Sequence, residues 1–362
     1  MVTMKDVARA AGVSQPAVSY AYNRPDQLSA EVRAHILQVA SDLNYPGPDP
    51  VGRGLRRGSV GAIGLMITDS LPYAFDDPAT VQLLRGIAEV GEMSEVMLTL
   101  LPLRSAAAAE DPAEIEAGQA RMSGSSLVDG FIVYSLPDRH RAVDAALARG
   151  LPVVVIDAPR GLGRSYLGIQ DRLAARQVAE HLLGLGHRRI GVLMDRLSPD
   201  GRSGLADDAR RRAARDGVAA ERVLGYQQAL RAAGLSWREV PMVEAGGFDQ
   251  TATERAVGLL LDYSPGLTAV LASTDVLALE ALCELRARGI RVPEEVSVAG
   301  FDDVPAAAAA GLTTMAQPLV EKGRAAARLL LQGISGDERS SLMLPTELVI
   351  RSSTAPPRPR RG

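Results

Sequence analysis

The chain has 362 residues, enough for two or three domains with sizeable cores. Its 46% apolar and 23% charged residues are ordinary for a soluble globular protein, and no apolar run approaches the length of a membrane span. A single cysteine, Cys283, rules out an intramolecular disulfide framework, and a small buried hydrophobe is the expectation for it. The net charge of −3 hides an asymmetry, because residues 1–58 carry seven Lys/Arg against five Asp/Glu. That bias supports nucleic-acid binding only weakly.

In chain order, the opening MVTMKDVARAAG has no apolar stretch of the secretory kind, so a cytoplasmic chain is expected. MKDVARAA (4–11) places Met4, Val7, Ala8 and Ala11 on one face of a short helix. Gly12 and Val13 make a turn, and Ser14 is a good N-cap for a second helix running to about Asn23. Pro16 falls in the first turn, where its missing N–H has no intrahelical partner to lose. Ser29 caps a third helix, with Val32, Ile36, Val39, Ala40 and Leu43 at helical spacing. Three short helices with a tight turn between the first two make a compact DNA-reading unit. NYPGPDPVGRGLRRG (44–58), rich in Pro and Gly, is a linker and marks a domain boundary.

Beyond it, the apolar runs GAIGLMI (61–67), EVMLTLL (95–101), DGFIVYS (129–135) and PVVVID (152–157) alternate with helical segments. A second series follows: RRIGVLM (188–194), a weaker PMVEA (241–245), TAVLAS (268–273) and VSVAGF (296–301). Continuous Val/Ile/Leu runs separated by helices are the pattern of parallel strands covered on both faces. The expected fold is therefore α/β: a three-helix headpiece and hinge, then two doubly wound parallel lobes with a cleft between them. The segment 196–221 reads as a solvated charged loop or helix end, and the tail 355–362 as disordered.

These residues resemble the lactose-repressor/galactose-repressor (LacI/GalR) family of transcription factors along essentially the whole chain. TMKDVARAAGVS (3–14) is similar to that family's opening helix and turn, and LNYPGPDPVGRGL (43–55) to its hinge. HLLGLGHRRIGVL (181–193), GYQQAL (225–230), VSVAGFDD (296–303) and LTTMAQP (312–318) continue the match in order. The resemblance implies a homodimer on a palindromic double-stranded DNA operator, hinge helices in the minor groove, and two periplasmic-binding-protein-like lobes that clasp a small effector. The domains it suggests are a headpiece at 1–46, a hinge at 47–58 and a core at 59–354. Within the core it suggests a first lobe of about 59–157 and 318–340, and a second of about 158–317 and 341–354. Chain crossings would fall near Asp157, near Gln317 and in the last strands.

On the DNA side, the resemblance makes Gln15, Pro16 and Tyr20 the base readers, with Ala17 where a threonine commonly touches phosphate. Thr3, Ser14, Ser19 and Asn23 complete the headpiece surface, and Gly52, Arg53 and Leu55 the hinge contacts. Gln15 can pair bidentately with adenine, whereas Pro16 offers only apolar contact and Tyr20 lacks the fork of arginine that suits guanine. The half-site is therefore expected to differ from the arginine-read type. Gly52 stands where an alanine usually packs, and Leu55 matches a wedge residue that inserts between base pairs.

An effector pocket needs a few placed polar groups and an apolar or aromatic wall. By resemblance, Arg222 occupies the effector-arginine position and Phe248 that of a stacking aromatic. Asp275 and Asp302 stand where carboxylates accept from ligand hydroxyls or amines, and Gln317 lies at a lobe crossing. Tyr73 and Phe75, in the loop after the first core strand, close the other wall. Taken singly, Arg222 is equally compatible with a surface helix, Asp275 with a helix cap and Phe248 with plain core. The set suits a sugar or another polyhydroxylated metabolite, with a purine or amino sugar left open.

Two rival classes remain. Two α/β lobes with a cleft also host catalysis. However, the chain has no G-x-x-x-x-G-K-[ST], no H-E-x-x-H and no metal-type Cys/His spacing, and DGRSG (200–204) falls short of a nucleophile elbow. No enzyme, cofactor or metal is expected, and His35, His140, His181 and His187 are expected to be structural or exposed. A solute-binding module with a degenerate headpiece is the other rival.

Overall fold

A computed structural model describes residues 2–47, 60–68, 70–90, 95–103, 111–162, 164–247, 250–336 and 340–358. The chain divides after Gly61 into two compact units.

The first unit is built by its caps. Helix α1 (Met4–Ala10) begins with a reciprocal capping box, in which Thr3 and Asp6 each satisfy the other's backbone N–H. Gly12, at φ +68, makes the left-handed turn that a β-carbon would oppose. Ser14 then caps α2 (Gln15–Asn23), accepting from Ala17 N–H at 3.3 Å, with Pro16 in the first turn. Ser29 caps α3 (Ala30–Asp42) in the same way through Val32 N–H. Val7, Ala8, Val18, Ala21, Ile36 and Ala40 bury together as the core. Val32, expected on the inner face, is instead exposed in the first turn of α3, where only Ile36 and Ala40 farther along the helix are buried.

The second unit holds two sheets. In the first, the strand order is β12-β5-β4-β3-β1-β2, with β1 Ala62–Thr68, β2 Met97–Leu103, β3 Phe131–Tyr134, β4 Val153–Ile156, β5 Ser165–Gly168 and β12 Ser341–Met343, all parallel. The second runs β13-β11-β10-β9-β6-β8-β7, with β6 Ile190–Met194, β7 Gly204–Leu205, β8 Met242–Glu244, β9 Ala269–Ala272, β10 Ser297–Asp302, β11 Thr313–Ala316 and β13 Glu347–Val349. Only its edge strands β7 and β13 are antiparallel. The central strands are buried end to end, and separate apolar cores fill both faces of each sheet.

Several expectations are corrected here. Ser165–Gly168 and Ser341–Met343 pair in the first sheet, so the first crossing lies after Gly168 rather than near Asp157. Both are short, β5 only partly buried and β12 exposed throughout, so neither shows the continuous apolar run of a central strand. Tyr73 and Phe75 are not in a loop but in the helix Leu71–Asp76, which Ser70 caps. The segment 196–221 is not simply solvated, since Arg196, Arg210, Arg211 and Asp216 are buried with internal partners. Cys283 is exposed rather than buried, on the outer side of the helix Asp275–Ala287. The tail is fixed at its start: Ala355 N–H donates to Ser297 Oγ at 3.1 Å, and its carbonyl lies 2.9 Å from His187 Nε2. Residues 359–362 lie outside the described part.

Candidate functional site

Two places in the molecule carry recognition chemistry. On the first unit, the outward face of α2 exposes Gln15, Pro16 and Tyr20, with Ser19 and Asn23 half-buried beside them. Asn23 Nδ2 donates back to the Ser19 carbonyl at 3.0 Å, so Gln15 and Tyr20 are the exposed polar side chains of this face. Thr3, Ser14 and Ala17 sit at the N-terminal ends of α1 and α2, where N–H groups point outward and favour phosphate. Residues 2–47 carry four Lys/Arg and four Asp/Glu, so the excess cations are Arg53, Arg56 and Arg57 of the linker. Gly52, Arg53 and Leu55 lie outside the described residues.

On the second unit, a cavity of about 110 Å³ lies where the C-terminal ends of strands from both sheets converge. That is the place where parallel sheets present loops, helix N-termini and ligand-binding side chains. Thr68 ends β1, and Ser135 follows β3, Asp157 β4, Asp195 β6, Thr274 β9 and Gln317 β11. Ser135, Asp157 and Asp302 hold positive φ of 49°, 62° and 124° without being glycine. Backbone strain of this kind persists where the surroundings over-determine it, and it concentrates at binding sites.

Arg222 is buried, and its guanidinium lies 3.8 Å over the Phe301 ring. Its Nε donates to Asp171 at 3.2 Å, an Nη donates to the Ser273 carbonyl, and Asp302 stands 3.9 Å away. Gln317 Nε2 donates to Asp302, while Gln317 Oε1 accepts from Lys322 Nζ at 2.6 Å. Lys322 spans both oxygens of Asp157 at 2.7 Å, which fixes the orientation of the Gln317 amide. Asp195 accepts from Ser273 Oγ at 2.9 Å and Thr274 Oγ1 at 3.1 Å. Asp77 caps the helix Pro78–Ala88 through Thr80. Burial pushes Asp302 well above the usual carboxylate range against the pull of Arg222, and it raises Asp195 and Asp77 as well.

Of the residues selected from the sequence, the structure brings together Tyr73, Arg222, Asp302 and Gln317 on this cavity. Asp275 and Phe75 do not line it. Asp275 is buried behind the wall, accepting from Thr314 Oγ1 and Val304 N–H, and Phe75 is 60% exposed. Phe248 lies outside the described residues, and the aromatic found beside Arg222 is Phe301. Asp77, Asp157, Asp195, Arg196 and Asp216, which the sequence pattern does not single out, also line the cavity, and Lys322 holds Asp157 from behind. A signal was present for two of them, since Asp157 and Asp195 each directly follow a continuous apolar strand run. Among the described residues no cluster of side chains could hold a metal ion, and no helix is long and apolar enough to cross a membrane.

A capped three-helix reader joined to two parallel α/β lobes around a polar cavity defines a helix-turn-helix transcriptional regulator with a periplasmic-binding-protein-like core. Residues 3–47 match the lacI family of bacterial regulatory proteins, and residues 179–354 match a periplasmic binding protein-like domain. An HTH-type transcriptional regulator of Mycobacterium tuberculosis is 42% identical over 98% of this chain and 97% of its own. The regulator IpsA of Corynebacterium glutamicum is 38% identical over 92% and 91%. Among solved structures, a LacI-family regulator from Corynebacterium glutamicum superposes with TM-score 0.74 at 33% identity, covering 98% of both chains. A CelR–cellobiose complex superposes with TM-score 0.68 at 27% identity, covering 98% of this chain and 100% of that one. The chain belongs to the LacI family of DNA-binding transcriptional regulators.

Proposed function

We propose that this chain is a homodimeric repressor whose hold on a palindromic operator is controlled by a neutral, compact polyol bound in the cavity between the core lobes. The observation that carries the reading is the cavity at the strand ends of both sheets, lined by Tyr73, Arg222, Asp302 and Gln317. At roughly 10–15 Å³ per water, the cavity holds on the order of eight waters, which suits a monosaccharide-sized ligand better than a larger one. The surrounding cations each already face a carboxylate: Arg222 faces Asp171, Arg196 faces Asp216, and Lys322 faces Asp157. A phosphorylated or carboxylated ligand would have to compete for them, whereas hydroxyls can donate to the remaining acid oxygens. The likeness to a regulator solved with cellobiose is consistent with sugar chemistry.

On the DNA side, Gln15, Pro16 and Tyr20 read bases, Thr3, Ser14, Ala17, Ser19 and Asn23 frame them, and Gly52, Arg53 and Leu55 act in the minor groove. The homodimer is supported by apolar surface left open on the single chain. Phe75, Val81, Met97 and Leu98 are exposed on the first lobe, Met97 and Leu98 along its edge strand β2.

The test combines selection of binding sites from random DNA with operator binding in the presence of candidate polyols. Arg222→Ala should keep operator affinity within about twofold and lose the response to ligand, because control requires a ligand that distinguishes two states. Equal loss of both activities would remove the assignment.

A further inference from the structure

The segment between β6 and the helix Gly217–Ala232 is densely charged, and Arg196, Arg210, Arg211 and Asp216 within it are buried. Both of its ends reach the cavity wall, at Arg196 and at Asp216. Those ends are pinned together, since the Leu197 carbonyl accepts from Arg215 N–H at 2.8 Å and Asp216 N–H at 3.1 Å. Farther along the segment, buried Glu244 accepts from Leu197 N–H at 3.1 Å and from Arg210 at 2.6 and 2.9 Å. Arg210 also grips Asp200, and Arg211 closes three backbone carbonyls, those of Ala206, Trp237 and Val240. Desolvating these charges is costly, and their attraction roughly repays it, so the brace contributes fixed geometry more than stability.

What the brace delivers is Arg196. Its Nε donates to Asp216 at 3.0 Å, and Nη2 donates to Thr68 Oγ1 at 3.1 Å. Arg196 follows β6 of the second sheet and Thr68 ends β1 of the first, so this hydrogen bond runs from lobe to lobe beside the cavity. Asp216 also caps the helix that carries Arg222, accepting from Ala219 N–H at 3.3 Å. One braced segment therefore sets the positions of both arginines.

We propose that residues 196–216 form a specificity element in which Arg196, aimed by Asp216, ties the two lobes through Thr68 and selects the ligand at the point of closure. This rests on the cavity being the effector site. A ligand is accepted when it fits beside the Arg196–Thr68 contact, and losing that contact lowers the fraction of protein in the closed, binding-competent state. The apparent dissociation constant rises as that fraction falls.

The experiment uses the full-length protein and has two arms. In the first, hydrogen exchange is followed on the ligand-free wild type, T68V and R196M. Both variants should exchange about tenfold faster at residues 64–68 and 194–198, as expected for a shifted opening equilibrium. T68V is close to isosteric, so it should do this without loss of fold. In the second, thermal-shift titrations are run with ribose, glucose, galactose, cellobiose and glucose 6-phosphate. T68V should weaken every ligand that stabilises the wild type by a similar factor, whereas R196M should change their rank order. R210M, which loosens the brace away from the cavity, should move in the direction of R196M, and R196K should restore affinity in part. Unchanged exchange in both variants overturns the proposal, as does R196M binding the same ligands in the same order within about twofold. If no sugar of the panel stabilises the wild type, the exchange arm decides alone. Failure of the site reading is separate: there Arg222→Ala would keep its ligand response, whereas here it would lose it while R196M behaved as wild type.

Discussion

Asp275 shows how one side chain acquires its role from its neighbours. It begins the helix Asp275–Ala287, is fully buried, and spends both oxygens on Thr314 Oγ1 at 2.6 Å and Val304 N–H at 2.9 Å. Burial outweighs those bonds and raises its carboxyl to about 6 from an ordinary 3.8. Between those pH values the folded chain retains a proton that the unfolded chain has released. The contribution of Asp275 to stability is thus most favourable below pH 3.8 and is progressively lost as the pH rises through about 6. Denaturant midpoints measured from pH 4 to pH 7 should fall less steeply in Asp275→Asn than in the wild type. Equal slopes would show that this carboxyl keeps an ordinary affinity for its proton. Tyr20 poses a separate question at the same scale. It is 39% exposed on the outward face of α2, and its hydroxyl is the one long-reach polar group there besides Gln15. Tyr20→Phe should relax preference at one base position of each half-site, losing about 1–3 kcal/mol of discrimination there. Site selection that returns an unchanged consensus would assign the reading elsewhere.

At the scale of elements, helix pairs in both lobes are set by glycine. The helices Pro78–Ala88 and Leu319–Ile334 approach backbone to backbone, so a β-carbon on Gly86 would collide with the Val320 carbonyl, and one on Gly323 with that of Leu83. Gly225 plays the same part between the helices Gly217–Ala232 and Asp171–Gly184, against the Arg172 carbonyl. The obstacle in each case is backbone, which cannot rotate away. Gly86→Ala should therefore destabilise the core by about 1–3 kcal/mol, despite the better helix propensity of alanine. Gly118 is the control, since a β-carbon there meets only the end of the Arg121 side chain at 3.7 Å. Gly118→Ala should be neutral, or stabilising by up to about 1 kcal/mol. Thermal melting of the two variants side by side separates crowding from propensity.

For the whole molecule, assembly follows from what a single chain leaves uncovered. Phe75 and Met97 are 60% and 62% exposed on the first lobe. On the second, Leu279, Leu282, Cys283, Ala306 and Ala309 line an open groove. Exposed apolar surface on both lobes suits a twofold partner that covers it. Light scattering at micromolar concentration should give twice the chain mass of 38.2 kDa. Charge substitutions at Met97 should shift it toward the monomer. A tetramer, or a monomer in the unaltered protein, would contradict this arrangement.

The sequence by itself determined what short-range physics controls. The caps at Thr3, Ser14 and Ser29 act within three residues, so the headpiece was legible from its spacing. The central strands were legible because strands buried on both faces must be apolar throughout, as in β4 and β6. Tertiary structure decided everything that depends on a distant partner. Arg210 is a surface residue by composition, and buried Glu244, 34 positions away, together with Asp200 makes its burial tolerable. Asp157 needs Lys322, 165 residues on, and that pair in turn orients Gln317. Asp275 looked like a ligand carboxylate until Thr314 and Val304 took both of its oxygens. The weak strands β5 and β12 took their place from the register of β4 rather than from their own pattern. Local hydrogen bonds and periodic burial are written in neighbouring residues, whereas the pairing of buried charges exists only once two parallel sheets bring their strand ends to one cavity.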